Sequence, residues 1–219
     1  MKSKLVIVAI IAAVFGVGVG KFLARFDLLP DIGGPPAIER FAKFTAARVT
    51  EVHAFSPDAD VAFLGDSITD RGRWGEAFPG LVIANRGVFG QAFPHMLDRI
   101  DGVLAVNPDK VFVMGGINGA DFQTPQEAAN TFGAILDGLV GTQVVAQSTL
   151  ECRCAELNYI RALNPLLKSE AARRNVTWLN LNATMSTQDG LRAELTHDGI
   201  HLNGLGYRAW RDALLPLMP

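Results

Sequence analysis

Residues 61–70 read Val61-Ala62-Phe63-Leu64-Gly65-Asp66-Ser67-Ile68-Thr69-Asp70. Four apolar residues in a row, stopped by a glycine, are the pattern of a short strand buried on both faces. The polar residues behind them form a tight strand-to-helix turn. A serine in such a turn presents its hydroxyl, while its own amide points into the same cavity. An ordinary glycine turn with an N-capping serine fits the same letters. What decides between them is the rest of the chain.

Working outward, four more β-rich runs follow, at Leu81–Ala84, Lys110–Met114, Gln143–Gln147 and Val176–Leu181. Helical patterns occupy about 93–105, 125–140, 155–174 and 204–217. The second of these starts at Thr124-Pro125-Gln126-Glu127, an N-cap with proline at the first helical position and a capping-box glutamate. Five near-continuous apolar strands alternating with helices predict an α/β fold, a parallel sheet covered on both faces. Ahead of them, Ile38, Phe41, Phe44, Val52 and Phe55 lie at near-helical spacing and predict an amphipathic helix packed on the body.

The 219 residues are 49% hydrophobic and 19% charged, with mean hydropathy +0.21, which excludes a disordered chain. The surplus of apolar residues has a source. Leu5 to Gly20 carries no charge and follows Lys2 and Lys4. Extended past Lys21 to Leu23, it reaches roughly 28 Å as a helix, close to a bilayer core. It reads as a transmembrane anchor or as a signal peptide cut after Gly18 or Gly20. Both readings place the body outside the cytoplasm, periplasmic or extracellular. Residues 28–36, with three prolines and two glycines, read as a linker. The expected organisation is a membrane or signal segment at 1–26, a linker at 27–36 and a single domain at 37–219. Residues 27–219 hold sixteen basic and twenty-two acidic residues without a Lys/Arg run, which argues against nucleic acid as a partner.

In a parallel sheet, ligands bind beyond the carboxyl ends of the strands. The loops there carry chemistry. Asn85-Arg86-Gly87-Val88-Phe89-Gly90 follows the second run, and its glycines allow close backbone approach to a ligand. Gly115-Gly116-Ile117-Asn118-Gly119 follows the third and offers an amide side chain. Near the C-terminus stands Thr196-His197-Asp198-Gly199-Ile200-His201. A carboxylate and an imidazole three residues apart meet within one turn, which fixes the tautomer of the ring. His197, adjacent to Asp198, should point elsewhere, leaving His201 as the base.

Together these blocks resemble the SGNH (GDSL-type) hydrolase superfamily, in its acetylhydrolase and acetylesterase-like branch. Gly65-Asp66-Ser67-Ile68-Thr69 is similar to the nucleophile block, Gly90 to the oxyanion glycine, Gly116-Ile117-Asn118 to the asparagine block, and Asp198-Gly199-Ile200-His201 to the final DxxH. Asn85-Arg86-Gly87 and the run from Leu195 to Tyr207 add to the likeness. The resemblance implies a three-layer α/β/α sandwich, flavodoxin-like, with no cofactor and no metal. It implies that Ser67 attacks an ester carbonyl, His201 relays the proton and Asp198 orients His201. The amides of Ser67 and Gly90 and the side chain of Asn118 then receive the oxyanion. Two departures stand out: Gln91 and Gly119 occupy positions where relatives often have Asp. Trp74, Phe89 and Phe93 are candidates for a pocket wall and equally for the core.

Cys152-Arg153-Cys154 holds the only two cysteines. They read as free thiols or a local disulfide, which an exported location permits; a zinc half-site would need further ligands. Three functions fit the residues. The first is an exported hydrolase of short acyl esters, such as acetyl on a carbohydrate or another small molecule. The others are an acyltransferase to a glycan hydroxyl using the same serine, and a non-catalytic glycan-binding relative. Oligomeric state has no signal in the sequence.

Overall fold

A computed structural model describes the protein over residues 37–55 and 57–219, with side chains from residue 42 onward. The expected anchor or signal segment at 1–26 and the linker at 27–36 lie outside the described residues. Among the described residues, no helix is long and apolar enough to cross a membrane.

Helix α1 (Ala37–Ala54) leads into strand β1 (Val61–Gly65), the short helices α2 (Ser67–Asp70) and α3 (Trp74–Ala77), and strand β2 (Ile83–Gly87). Helices α4 (Phe93–Leu97) and α5 (Ile100–Leu104) precede β3 (Lys110–Met114), then a 3-10 turn (Ile117–Gly119) and α6 (Pro125–Gly138). Strand β4 (Gln143–Gln147), α7 (Leu157–Arg173), β5 (Thr177–Leu179) and α8 (Asn182–Met185) follow. The small hairpin β6 (Ser186–Thr187) and β7 (Gly190–Leu191) comes before α9 (Gly204–Leu214).

Five strands form one parallel sheet in the order β2-β1-β3-β4-β5. Side chains alternate strictly across it. Ala62, Leu64, Val111 and Val113 face a core completed by Phe93, Met96, Phe132 and Leu163. Val61, Phe63, Phe112 and Met114 face the opposite core, with Trp74, Phe78, Trp210 and Leu214. Each fully buried aromatic or aliphatic side chain contributes roughly 1.5–3 kcal/mol, so both layers are needed to hold the sheet. This is the expected α/β/α sandwich.

Several boundaries differ from the sequence reading, each for a physical reason. The second strand is Ile83–Gly87 rather than Leu81–Ala84. It is an edge strand paired only with β1, so it tolerates the polar Asn85 and Arg86 that an apolar criterion excludes. The helix at 93–105 is two helices, divided at Asp98-Arg99, where the Arg99 guanidinium is buried (4% exposed). The capping box at Thr124 forms as expected, with the Glu127 amide donating to Thr124 Oγ1 at 3.2 Å and the Thr124 amide to Glu127 Oε2 at 2.7 Å. Phe44 in α1, however, is exposed, as is Phe55 just past its end. The packed face holds the expected Val52 together with Thr45 and Arg48, whose Nε donates to Asp70 Oδ1 at 2.9 Å. The side chains of Ile38 and Phe41 lie outside the described residues.

The order β2-β1-β3 places the site. From β1 the chain turns to one face, where Trp74 packs, and from β3 to the other, where Ala128 and Phe132 pack. The two loops diverge and open a crevice at the carboxyl ends of neighbouring strands. Gly65, at the rim, has no room for a side chain: a Cβ there would sit 2.0 Å from Thr69 Oγ1 and 2.6 Å from the Met114 carbonyl.

Candidate active site

Strand β1 ends at Gly65, and Asp66, not Ser67, caps the following helix, its Oδ1 accepting from the Ile68 amide at 3.0 Å. Ser67 is therefore the first residue of α2 and its hydroxyl is not spent on capping. Burial pushes the Asp66 carboxyl up to about 7. The turn is held from outside as well. Asn85 Nδ2 donates to the carbonyls of Thr69, Asp70 and Gly72 at 2.9–3.2 Å, while Asn85 Oδ1 accepts from the Gly87 amide at 2.9 Å. Tyr207 donates its hydroxyl to the Ile68 carbonyl at 2.7 Å.

Ser67 Oγ lies 3.0 Å from His201 Nε2, and His201 Nδ1 lies 2.6 Å from Asp198 Oδ2. An ionised carboxylate only accepts hydrogen bonds, so the ring proton resides on Nδ1 and Nε2 is left to accept from the serine hydroxyl. Asp198 Oδ1 accepts from the amides of Ile200 (2.9 Å) and His201 (2.7 Å). Burial alone would raise the Asp198 carboxyl, but its hydrogen bonds from the His201 ring and from these two amides outweigh it and hold it at about 2. Burial pulls the His201 imidazole below its ordinary value; Arg71 and His197 add to this, against the pull of Asp198. His201 is thus neutral near neutral pH, the form able to take a proton. Thr196 closes the loop, its hydroxyl donating to the His201 carbonyl at 2.7 Å. His197 does not point away: its Nε2 lies 3.6 Å from Asp198 Oδ2, on the exposed side.

Gly90 lies in the loop after β2 with φ of 72°, a left-handed conformation that glycine adopts without strain. Asn118 is joined to the same loop, its Nδ2 donating to the Gln91 carbonyl at 3.0 Å. An amide nitrogen carries two hydrogens, so this bond positions Asn118 and leaves one N–H for another acceptor. The departure at Gln91 has a structural use: buried Gln91 accepts from Arg99 Nε through Oε1 at 2.6 Å. Arg99 also donates to the carbonyls of Arg86 (3.0 Å) and Gly65 (3.4 Å), binding the ends of β1 and β2 to the loop that carries Gly90. Burial, with Arg48 and Arg86 nearby, brings this guanidinium down to about 10, so it remains a cation at neutral pH.

Of the three candidate aromatics, Trp74 and Phe93 are core, at 2% and 1% exposure. Phe89 alone reaches the site, its ring stacked on His201 at 6.2 Å between centroids. Cys152 and Cys154 form a disulfide with Cα atoms 5.2 Å apart. The amide of Arg153 between them donates to the Gly199 carbonyl at 2.8 Å, bracing the loop of Asp198 and His201. Arg99, Tyr207 and the bracing role of Asn85 escaped the sequence reading. Arg99 sits in an apolar helical pattern that discloses nothing about which way it turns. A cavity of about 740 Å³ lined by Lys110, Gln143 and Thr177 lies at the opposite, amino ends of the strands, remote from this chemistry.

A flavodoxin-like sandwich with a hydroxyl–imidazole–carboxylate chain at its switch point is the architecture of hydrolytic serine enzymes. The chain belongs to the GDSL-like lipase/acylhydrolase family, whose model matches residues 63–209, and it is an ester hydrolase. No curated protein matches it. Among solved structures, one from Streptococcus pneumonia, described by reference to platelet activating factor, is similar with TM-score 0.75 at 24% identity, covering 83% of this chain and 95% of its own. A GDSL-like lipase from Bacteroides thetaiotaomicron VPI-5482 gives TM-score 0.65 at 22% identity, covering 81% and 98%. The acetyl xylan esterase AlAXEase gives 0.64 at 19% identity, covering 73% and 99%.

Proposed function

We propose that the protein cleaves short acyl esters, acetyl foremost, from a carbohydrate or other small molecule, with Ser67 as nucleophile, His201 as base and Asp198 as its orienting carboxylate. The observation that carries this reading is the unbroken relay of 3.0 Å and 2.6 Å from Ser67 through His201 to Asp198. A neutral serine hydroxyl is a poor nucleophile until an adjacent base accepts its proton. As Oγ bonds to the carbonyl carbon, its proton passes to His201 Nε2, and the imidazolium formed is stabilised by Asp198. The carbonyl oxygen, now an anion, is received by the amides of Ser67 and Gly90 and the free N–H of Asn118. His201 then returns the proton to the departing alcohol oxygen, and the acyl group stays on Ser67. Water repeats the sequence, giving the carboxylic acid and restoring the serine. No metal or cofactor takes part in these steps.

The acetyl and carbohydrate assignment draws on the acetyl xylan esterase among similar structures. An exported, membrane-tethered setting is part of the same proposal. It is supported by the apolar run from Leu5 to Gly20 and by a disulfide, which persists in oxidising compartments. The test is turnover of p-nitrophenyl esters from acetyl to octanoyl by the full chain and its Ser67→Ala variant. The expected result is activity falling with acyl length and lowered by roughly four powers of ten or more in the variant. A variant keeping half the activity would overturn the mechanism. An acyl product formed only when a sugar acceptor is added would reassign the protein as a transferase.

A further inference from the structure

Helices α3 and α9 enclose a groove of about 590 Å³ beside the relay, within the size range of small-molecule sites. Its lining is out of character with the chain. Residues 27–219 carry more acids than bases, yet four arginines (Arg71, Arg73, Arg208 and Arg211) line the groove with a single carboxylate, Glu76. Arg73 is answered by Glu76 at 2.6 Å and Arg211 by Asp212 at 2.5 Å. Among the described residues, no carboxylate lies within ion-pair distance of Arg71 or Arg208. The groove therefore carries a surplus of positive charge, with Asp70 acting on Arg71 from outside its lining.

It also lies next to the site. The Arg71 guanidinium lies over the Phe89 ring, 5.6 Å from its centroid, and that ring stacks on His201. On the other wall Tyr207 bonds the carbonyl of Ile68, the residue after Ser67. Two residues of the groove wall, Arg71 and Tyr207, thus adjoin the residues around Ser67 and His201. Guanidinium groups present planar donor forks that match carboxylate and phosphate oxygens, and being exposed they also draw such groups in from solution.

We infer that this groove binds an anionic group of the ester substrate, so that the preferred substrates are acyl esters carrying carboxylate or phosphate. The inference rests on the serine-esterase reading above and narrows its substrate class. Two sources of the anion are separable, an acidic sugar and a glycerophosphate. For the first, kcat/KM of the full chain is compared on an acetylated oligogalacturonide and a neutral acetylated xylo-oligosaccharide. For the second, the pair is 1-acetylglycerol 3-phosphate and neutral 1-acetylglycerol. In at least one pair the anionic member should be favoured by about tenfold or more at low ionic strength, and this preference should shrink steeply in 0.5 M salt. In Arg208→Gln/Arg211→Gln the ratio within that pair should fall by about tenfold. Because it is a ratio, a general loss of folding or of chemistry leaves it unmoved. Ratios near one in both pairs, or a ratio the variant does not change, would overturn the inference. Should p-nitrophenyl acetate show no serine-dependent turnover, the esterase reading fails. The groove is then judged by calorimetry on the Ser67→Ala chain: oligogalacturonide or glycerol phosphate binding lost in the double arginine variant upholds it, and no binding overturns it.

Discussion

Replacing Asp198 by asparagine separates the orienting carboxylate from the loop it belongs to. Asp198 uses its two oxygens differently: Oδ1 accepts from the amides of Ile200 and His201 at 2.9 and 2.7 Å, and Oδ2 faces His201 Nδ1 at 2.6 Å. Asparagine with its oxygen at the first position keeps both amide bonds, so the loop holds. Its NH₂ then occupies the second position and confronts the Nδ1–H of the ring. Two donors cannot face each other at that distance, so the imidazole takes the opposite tautomer, with its proton on Nε2. The group 3.0 Å from Ser67 then has no lone pair for the hydroxyl proton. The same exchange in a serine protease costs about 10⁴ in kcat, or about 5.4 kcal/mol of transition-state stabilisation. We expect a loss of that order here, read as kcat for p-nitrophenyl acetate, with Tm lowered by no more than about 4 °C, the equivalent of ~1 kcal/mol in a domain this size. Asp198→Ala should lose as much activity and more stability, because the two amides are then left without their acceptor. An Asp198→Asn enzyme within tenfold of wild type would refute the tautomer argument and the role given to His201.

Two further outcomes follow from the same geometry. Burial pulls the His201 pKa down, and only the neutral ring accepts a proton. kcat/KM should therefore be flat near neutrality and fall with unit slope as the pH drops through a midpoint below the ordinary histidine value of 6.5; a midpoint well above it would contradict the neutral, partly buried ring. Asn118→Ala removes the bond to Gln91 and the proposed oxyanion donor, and should lower kcat by about 10²–10³ while KM changes little. An unchanged kcat would place the oxyanion elsewhere.

How much of this was legible beforehand depends on whether a residue's role is set locally or by its neighbours in space. β1 and the inner residues of β3 and β4 are legible because both of their faces are buried there, and a doubly buried stretch must be apolar. β2 is displaced from its apolar run because an edge strand has one unpaired side, and its Asn85 and Arg86 are used to fasten the turn that carries Ser67 and the α5 region. Asp198 and His201 were legible as a pair because their contact is three residues long. Arg99 was not: what it holds together, Gly65, Arg86 and Gln91, is spread over three segments that only the folded sheet brings near. His197 was misjudged for a related reason, since adjacency in sequence says little about direction in an irregular loop.

The link from Ser67 to His201 spans 134 positions of chain, and no local rule predicts it. It follows from topology. Both crossovers that start from β1 and β3 leave the sheet at its carboxyl edge toward opposite faces, so the crevice between them is fixed once the strand order is β2-β1-β3. α9 then packs Trp210 and Leu214 on the same face as Trp74 and Phe78, which anchors the loop ahead of α9 over that crevice. Trp210 is further tied to β4 through Gln147, its Nε1 donating to Oε1 at 2.7 Å. His201 is thereby placed by a helix that is anchored through both apolar packing and the hydrogen bonds of Trp210 and Tyr207. A cavity-forming change such as Trp210→Ala, remote from the ester, should accordingly cost about 3–5 kcal/mol of stability, and its effect on turnover should come through the position of His201 rather than through any contact with substrate.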